Sequence, residues 1–240
     1  MQFIRSTIYF ILMVITGAIY GGLAGFTVLI PFDKRFKFIS QWARFNIWAL
    51  KKICGLGYEI RGKENIPDEA SIILSKHQST WETFATQIIF PPQTWVLKKS
   101  LLNIPFFGWG LRATEPVAID RAKKRKAMEQ VMEQGKDRLD KGRWIVIFPE
   151  GTRIAPGKKG KYKLGGARLA IHSGRKVVPV AHNAGEFWAR HSFTKYPGTI
   201  TISILPPIDP AGLSAEELNK QVENAIESEM KRITTLKNAY

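Results

Sequence analysis

A histidine and a carboxylate five residues apart form the first pair able to carry out chemistry. His77 and Glu82 lie in the segment HQSTWE. A carboxylate that accepts a hydrogen bond from one imidazole nitrogen fixes the tautomer of the ring and raises the basicity of the other nitrogen. The pair is therefore a candidate general base with its orienting acid. The same residues also fit a capping box, in which Glu82 would bond the backbone amide of Ser79 at the start of a helix.

A second candidate site follows about seventy residues later, where the run FPEGTR covers residues 148–153 after an apolar stretch. Gly151 lets the backbone approach a ligand closely, and Arg153 carries a planar fork of donors that matches phosphate oxygens. Thr152 offers a hydroxyl. Glu150 is placed either to orient Arg153 or to accept a hydrogen bond from a substrate hydroxyl. Taken alone, the run is equally compatible with an ordinary strand exit that carries a surface salt bridge.

The elements around these residues place both candidates at the ends of strands. Beyond residue 55, apolar β-type runs alternate with helical patterns, which predicts an α/β domain. His77 follows one predicted strand and FPEGTR follows another, and open α/β sheets bind ligands at the carboxyl ends of their strands. The predicted strands are 71–75, 94–97, 117–119, 144–148, 177–181 and 199–205. The predicted helices begin at Ser79, near Ala122, near Leu164 and at Ser214, which forms a capping box with Glu217.

The first 54 residues have the character of a membrane anchor. No charged residue occurs between Ser6 and Phe32, and a helix from Ile8 to Ile30 would be ~34 Å long, enough for a ~30 Å hydrocarbon core. A signal peptide fits less well, because its apolar region is usually only ~7–15 residues long. The segment 36–53 mixes aromatic and basic residues, which predicts an interfacial amphipathic helix. A spanning helix and a monotopic hairpin both fit this pattern.

Composition and charge narrow the classes of partner. The net charge of +16, from 36 basic and 20 acidic residues, favours anionic partners. Aromatic residues beside lysines suit a membrane interface, whereas no nucleic-acid-binding motif is present and no nucleic-acid partner is expected. Cys54 is the single cysteine, which excludes an internal disulfide framework, and no Cys/His cluster has the spacing of zinc ligands. No metal is expected.

Four blocks in this order resemble the glycerolipid acyltransferase family, and within it the bacterial 1-acylglycerol-3-phosphate acyltransferases. The resemblance covers roughly residues 55–185, and the N-terminal hydrophobic helices also resemble the membrane anchor of that family. The four blocks are His77 to Glu82, which resembles H-x4-D; Lys98, Pro105, Gly108, Trp109 and Ile119–Arg121; Phe148 to Arg153; and Val178–Val180. Glu82 departs from the family pattern, which usually has Asp at this position.

The resemblance implies a fold, a reaction and a set of site residues. The implied fold is a mixed β-sheet flanked by helices, with an N-terminal membrane-associated helical hairpin over residues 1–54 and an acyltransferase domain over 55–240. His77 would be the general base and Glu82 its charge partner. The glycerol 3-phosphate head of the acceptor would be bound by Glu150, Gly151, Thr152 and Arg153, together with Arg121. Lys98 would be a further substrate-binding residue, and the fourth block would help to shape the acyl site.

The implied reaction transfers a fatty acyl group from acyl-CoA or acyl carrier protein to the sn-2 hydroxyl of lysophosphatidic acid. The product, phosphatidic acid, belongs to phospholipid biosynthesis, and no cofactor is implied beyond the acyl thioester. The basic excess after the apolar segment predicts that the domain faces the cytoplasm from the inner membrane. Two alternatives stay open: another acceptor, such as a lyso-ornithine lipid or a lysophospholipid, and a non-catalytic protein that binds anionic membranes.

Overall fold

The computed structural model describes residues 1–120, 122 and 124–236, and it begins with two helices. Helix α1 (Gln2–Ala24) continues into a 3-10 turn at Gly25–Leu29. Helix α2 (Phe32–Ala49) ends in a π-helical turn at Leu50–Cys54. Gly55 follows in the left-handed conformation, with φ of 70°, which favours glycine. The N-terminal helical segment therefore ends at Cys54.

In the described part of the chain, seven strands form one mixed sheet in the order β1-β7-β6-β2-β5-β3-β4. Every neighbouring pair is parallel except β6 and β7, which are antiparallel. The strands are β1 (Leu56–Arg61), β2 (Ile72–Ser75), β3 (Gln93–Lys98), β4 (Val117–Ile119), β5 (Trp144–Ile147), β6 (Val177–His182) and β7 (Gly198–Ile204). The predicted mixed α/β fold is confirmed, although the sequence analysis missed β1.

Helices cover both faces of this sheet. They are α3 (Trp81–Ile89), α4 (Phe107–Ala113), α5 (Lys124–Asp140), α6 (Gly165–Ser173), α7 (Ala184–Phe187) and α8 (Ala215–Ile233). Ser214 caps α8 and forms the predicted capping box with Glu217.

The central strands are buried on both sides, because successive side chains of a strand point to opposite faces. In β2, Ile73 joins a hydrophobic cluster shared with α2 and α3, while Ile72 and Leu74 join a second cluster shared with α5, α6 and α8. Trp144 and Ile145 of β5 divide between the two clusters in the same way. The strands that lead to the candidate site therefore end on a rigid platform.

Helix α1 packs on the rest of the protein along one side only. Tyr9 is fully buried, and its hydroxyl donates a hydrogen bond to Asn46 Oδ1 at 3.1 Å. On the other side Ile4, Ile8, Ile11, Ile15 and Ile19 are each more than half exposed and form one stripe. Within the described part of the chain, Gln2–Leu29 is the one helical segment long and apolar enough to cross a membrane. An exposed apolar stripe of this kind is typical of a surface that contacts lipid.

Candidate active site

The two chemical segments meet because the strands that precede them are neighbours. β2 and β5 are adjacent and parallel, with Leu74 opposite Ile147, so their carboxyl ends lie at the same edge of the sheet. His77 follows β2 and the FPEGTR run follows β5. The backbone N–H of Ile154, directly after Arg153, donates a 2.8 Å hydrogen bond to the carbonyl oxygen of His77. The two loops are therefore joined, and the residues predicted to act together lie side by side.

His77 and Glu82 form a direct contact, with 2.8 Å between Nδ1 and Glu82 Oε1. The same carboxylate accepts the backbone N–H groups of Gln78 and Ser79, each at 2.9 Å. Glu82 thus makes both contacts that the sequence analysis offered as alternatives, one to the imidazole and one to the start of the helix. Because an ionised carboxylate only accepts, the proton of neutral His77 is assigned to Nδ1, which leaves Nε2 free to act as a base.

The charge of Glu82 is maintained inside the protein. Burial alone would raise the pKa of this carboxyl, but the neighbouring imidazoles of His182 and His77 and the backbone N–H of Ser79 outweigh burial and hold the pKa below its ordinary value. The carboxylate is completely buried. Glu82 therefore remains an anion at neutral pH and can stabilise a positive charge that forms on the ring of His77.

A second histidine lies behind this pair. His182, at the end of β6, is completely buried, and its Nε2 is 2.8 Å from the carbonyl oxygen of Lys76 and 4.0 Å from Glu82 Oε2. The backbone N–H of Ala184 donates to its Nδ1 at 3.3 Å, so the proton of His182 is assigned to Nε2. Burial lowers the pKa of His182 despite the nearby Glu82 carboxylate. His182 is therefore neutral at pH 7 and supports the loop before His77.

Glu150 turns inward, away from the position expected of a residue that contacts substrate. Its Oε1 accepts from Lys76 Nζ at 2.8 Å and from the backbone N–H of Gly160 at 3.1 Å, and its Oε2 accepts the backbone N–H of His77 at 3.1 Å. Lys76 Nζ also donates to Glu227 Oε1 at 2.7 Å. The carboxylate is held by these buried donors and not by Arg153, so Glu150 positions the two loops instead of facing a ligand.

A cavity of about 780 Å³ opens beside His77. Its polar end contains His77, Gly151, Thr152, Arg153 and Arg190, whose segments are joined by hydrogen bonds, and Lys98 also lines the cavity. Most of the remaining wall is apolar and comes from α1, α3, β3 and α4. Among the described residues, no Asp or Glu lines this cavity. Its shape and polarity suit a molecule with an anionic head, a group that reacts at His77, and a long apolar portion.

Comparison with known proteins identifies relatives of the chain. The acyltransferase family model matches residues 57–183. A 1-acyl-sn-glycerol-3-phosphate acyltransferase of Pseudomonas aeruginosa is 43% identical, over 98% of this chain and 93% of its own length. This chain belongs to the acyltransferase family.

Further relatives of the acyltransferase agree with this assignment. A 1-acyl-sn-glycerol-3-phosphate acyltransferase of Saccharomyces cerevisiae is 29% identical. The match covers 77% of this chain and 63% of that relative. The crystal structure of the LPA acyltransferase PlsC from Thermotoga maritima has a TM-score of 0.81, at 24% identity, and the match covers 98% of this chain and 97% of the other. At that identity the structural match establishes the fold.

Most of the predicted site residues of the acyltransferase lie together. His77, Lys98, Gly151, Thr152 and Arg153 line the cavity, and Glu82 lies behind the ring of His77. Gly151 has a φ of 68°, in the region that favours glycine, as a close backbone approach requires. Arg121 lies outside the described residues, and Glu150 lies outside the cavity wall.

Two residues of the site were not found by sequence analysis. Arg190 lines the cavity of the acyltransferase, but the loop that contains it has no motif and no neighbouring catalytic residue type. Lys76 precedes His77 directly, and a lysine at the end of an apolar strand was the one available signal. Its importance depends on Glu150 and Glu227, which lie 74 and 151 positions further along the chain.

Proposed function

We propose that this acyltransferase transfers a fatty acyl group from an acyl thioester to the sn-2 hydroxyl of 1-acyl-sn-glycerol 3-phosphate and so forms phosphatidic acid. The observation that carries the proposal is that an imidazole and a guanidinium line the same cavity, whose remaining wall is mostly apolar. The names of the relatives in Pseudomonas aeruginosa and Saccharomyces cerevisiae support the choice of acceptor.

The phosphate of the acceptor would bind at Arg153 and Lys98. Both side chains line the cavity, and within the described residues neither has a hydrogen-bond or ion-pair partner in the protein. A guanidinium binds two phosphate oxygens through parallel hydrogen bonds. The sn-2 hydroxyl of the acceptor is separated from its phosphate by only a short glycerol backbone. A base and a phosphate site that share one cavity therefore hold the hydroxyl where His77 can reach it.

In the proposed reaction, His77 Nε2 removes the proton of the sn-2 hydroxyl as that oxygen attacks the thioester carbonyl. The Glu82 carboxylate stabilises the imidazolium that forms. The new carbon–oxygen bond is made, the carbon–sulfur bond breaks, and the imidazolium returns its proton to the leaving thiolate. Proton transfer of this kind contributes typically ~10²–10⁴-fold to the rate. The chemistry requires no group beyond the acyl thioester itself.

The apolar walls would hold acyl chain, and they also relate the site to the bilayer. Each buried methylene contributes about 0.8 kcal/mol, so a largely apolar cavity favours long chains. The wall formed by α1 lies on the same helix as the exposed isoleucine stripe. We place this helix in the inner membrane, with the rest of the protein on the cytoplasmic side, where acyl-CoA and acyl carrier protein are available and where the basic residues after α1 are favoured.

A thiol-release assay tests the proposal directly. Purified full-length protein is mixed in detergent micelles with lysophosphatidic acid and either acyl-CoA or acyl carrier protein, and free thiol and phosphatidic acid are measured together. We expect stoichiometric thiol and product with at least one donor, and loss of both with His77→Ala. Lyso-ornithine lipid and lysophosphatidylcholine serve as alternative acceptors. Faster turnover with either of them than with lysophosphatidic acid would contradict the proposed acceptor. Full activity of His77→Ala would contradict the assignment of His77 as the general base.

A further inference from the structure

Arg190 brings a second guanidinium to the polar end of the cavity, beside Arg153. It lies in the loop after α7 and is exposed. Its Nη1 donates to the carbonyl oxygen of Arg153 at 3.0 Å, and its Nε donates to Nε2 of His191 at 2.8 Å. Neither acceptor is a carboxylate, so these contacts orient the guanidinium without pairing it with an acidic group. The side chain of Arg190 is therefore held in place with its charge available to a ligand.

Among the described residues, the positively charged side chains that line the cavity have no acidic partner in the protein. Lys98, Arg153 and Arg190 all line this cavity, and within the described part of the chain none of the three forms an ion pair. No Asp or Glu of the described residues lines the wall. Cations gathered in a cavity with mostly apolar walls repel one another and attract an anion strongly. The arrangement therefore favours a ligand with more than one negative charge.

We infer that Arg190 recognises the second negative charge of a phosphomonoester, and that it thereby gives the enzyme its preference for acceptors with a terminal phosphate over acceptors with a phosphodiester head group. The inference rests on the proposed function. A phosphomonoester carries about −1.5 to −2 charges at pH 7 and three acceptor oxygens. The fork of Arg153 can bind two of these oxygens. The remaining oxygen and charge match a second guanidinium, whereas a phosphodiester lacks both.

The acceptor is one of two possible sources of such a group, because coenzyme A also carries a phosphomonoester at its 3′ position. The contacts of Arg190 favour the acceptor. Arg190 is bonded to the backbone of Arg153, and the next residue, Ile154, is bonded to the carbonyl oxygen of His77. The second guanidinium is therefore connected by two hydrogen bonds to the residue that would deprotonate the acceptor hydroxyl.

The test compares binding of two lysolipids that share the same acyl chain. Dissociation constants for lysophosphatidic acid and for lysophosphatidylglycerol are measured with the full-length protein in detergent micelles, in the unaltered protein, Arg190→Gln, Arg190→Lys and Arg168→Gln. Arg168 is exposed on α6 and does not line the cavity. The variant Arg168→Gln therefore removes one positive charge outside the cavity and serves as the control. The Michaelis constant for acyl-CoA is measured in parallel.

We expect Arg190→Gln to weaken lysophosphatidic acid binding about tenfold or more, the usual strength of a charge-assisted hydrogen bond. Binding of lysophosphatidylglycerol should change less than about threefold, and the Michaelis constant for acyl-CoA should not change. Arg190→Lys keeps the positive charge without the planar guanidinium. Its affinity for lysophosphatidic acid should therefore lie between those of the unaltered protein and Arg190→Gln. Arg168→Gln should match the unaltered protein for both lysolipids.

Three results would overturn the inference. Equal weakening of both lysolipids would show a general effect of charge, unchanged binding of both would show that Arg190 makes no contact, and a rise confined to the Michaelis constant for acyl-CoA would assign Arg190 to the donor. If Arg190→Gln does not fold, as judged by thermal unfolding, the same comparison is made with Arg190→Lys, whose intermediate selectivity is required. Because binding is measured without turnover, failure of the proposed reaction would appear separately, as absence of thiol release from the unaltered protein.

Discussion

The ring of Phe148 lies flat against the imidazole of His77, with their centroids 3.9 Å apart and their planes inclined by 13°. Phe148 is the first residue of the FPEGTR run, so this run supports the face of the proposed base as well as lining the cavity. Glu82 holds one edge of the same ring through Nδ1. Contacts on a face and on an edge together leave the imidazole little freedom to rotate, and its Nε2 is presented in one direction.

Removal of this stacked ring should reduce catalysis without reducing binding. We expect Phe148→Ala to lower kcat about ten- to hundredfold, because a small misplacement of a catalytic group has effects of that size. The affinity for lysophosphatidic acid should be nearly unchanged. Phe148→Tyr keeps the ring and serves as the control. Steady-state kinetics with varied acceptor separate kcat from KM, and an increase in KM alone would show that Phe148 contacts the substrate.

Substitution of the acid tests the tautomer of the base. Glu82→Gln keeps the size of the side chain but replaces an oxygen by a donor, and it should lower kcat by about 10² or more. Glu82→Asp keeps the charge with a side chain one methylene shorter, and it should retain more activity than Glu82→Gln. Both variants are compared by kcat at pH 7.5. Equal activity of Glu82→Gln and the unaltered protein would leave Glu82 with a role only at the start of α3.

The buried group of Lys76, Glu150 and Glu227 should be important for stability. Lys76→Met leaves two carboxylates in the interior without their cation, which costs about 3 kcal/mol or more and should lower Tm by roughly 6–12 °C. Arg61→Met removes an ion pair with Glu59 in which both side chains are about half exposed, and its Tm should be unchanged. Thermal unfolding in detergent measures both, and similar Tm values for the two variants would contradict the expectation.

Two neighbouring glycines of α1 provide a matched test of how this helix packs. A Cβ at Gly21 would lie 2.3 Å from the carbonyl oxygen of Phe106, whereas a Cβ at Gly22 would meet only the ring of Phe106 at 3.9 Å. Gly21→Ala should therefore force α1 away from the start of α4 and cost about 1–3 kcal/mol, while Gly22→Ala should be neutral or slightly stabilising. Comparison of the two Tm values checks this. A drop in Tm of the same size for both variants would show that helix conformation, not contact with Phe106, is responsible.

The buried histidine predicts how stability depends on pH. Burial lowers the pKa of His182 in the folded protein, so the unfolded chain binds a proton first as the pH falls below about 6.5. Stability should therefore decrease from pH 7.5 towards pH 5.5. The lowered pKa of Glu82 acts in the same direction, but only once the pH approaches its ordinary value of about 4.3.

A matched pair of variants checks the contribution of His182. His182→Gln should flatten the dependence of Tm on pH between 7.5 and 5.5, whereas His172→Gln should leave it unchanged, because His172 is exposed on α6. The slope of Tm against pH is the relevant measurement, since His182→Gln also loses a hydrogen bond to Lys76. An unaltered slope in His182→Gln would assign the effect to another group.

Sequence patterns predicted the parts of this protein that depend on local order. The strand before His77 and the strand before FPEGTR are short apolar runs, and the rule that ligands bind at the carboxyl ends of strands was sufficient to bring the two loops to one edge. Strand β1 was missed because Leu56–Arg61 mixes glycine, charged and apolar residues and is mostly exposed. The segment forms a strand because it pairs with β7, and its own residue pattern does not indicate one.

Partners that are distant in the chain were beyond this reasoning. The sequence around Glu150 does not show whether its carboxylate faces a ligand or Lys76. Its inward orientation depends on Lys76, which is also bonded to Glu227 in α8. Arg190 is likewise an ordinary loop residue until the fold places it beside Arg153. In β7, Thr201 and Ser203 alternate with the isoleucines, yet they are buried too, and Glu59 and Glu229 accept hydrogen bonds from their hydroxyls.

The first helix forms part of the wall of the chamber in which the proposed reaction occurs, through Met13, Gly17 and Gly21. The helix that is proposed to anchor the protein is therefore also part of the cavity wall. A protein shortened by removal of this segment, to make it easier to handle in water, would lack one wall of the cavity, even if His77 kept its position. Under the proposed placement of α1 in the membrane, the helix that reaches the lipid also completes the cavity, so the proposed reaction would take place only at the lipid surface.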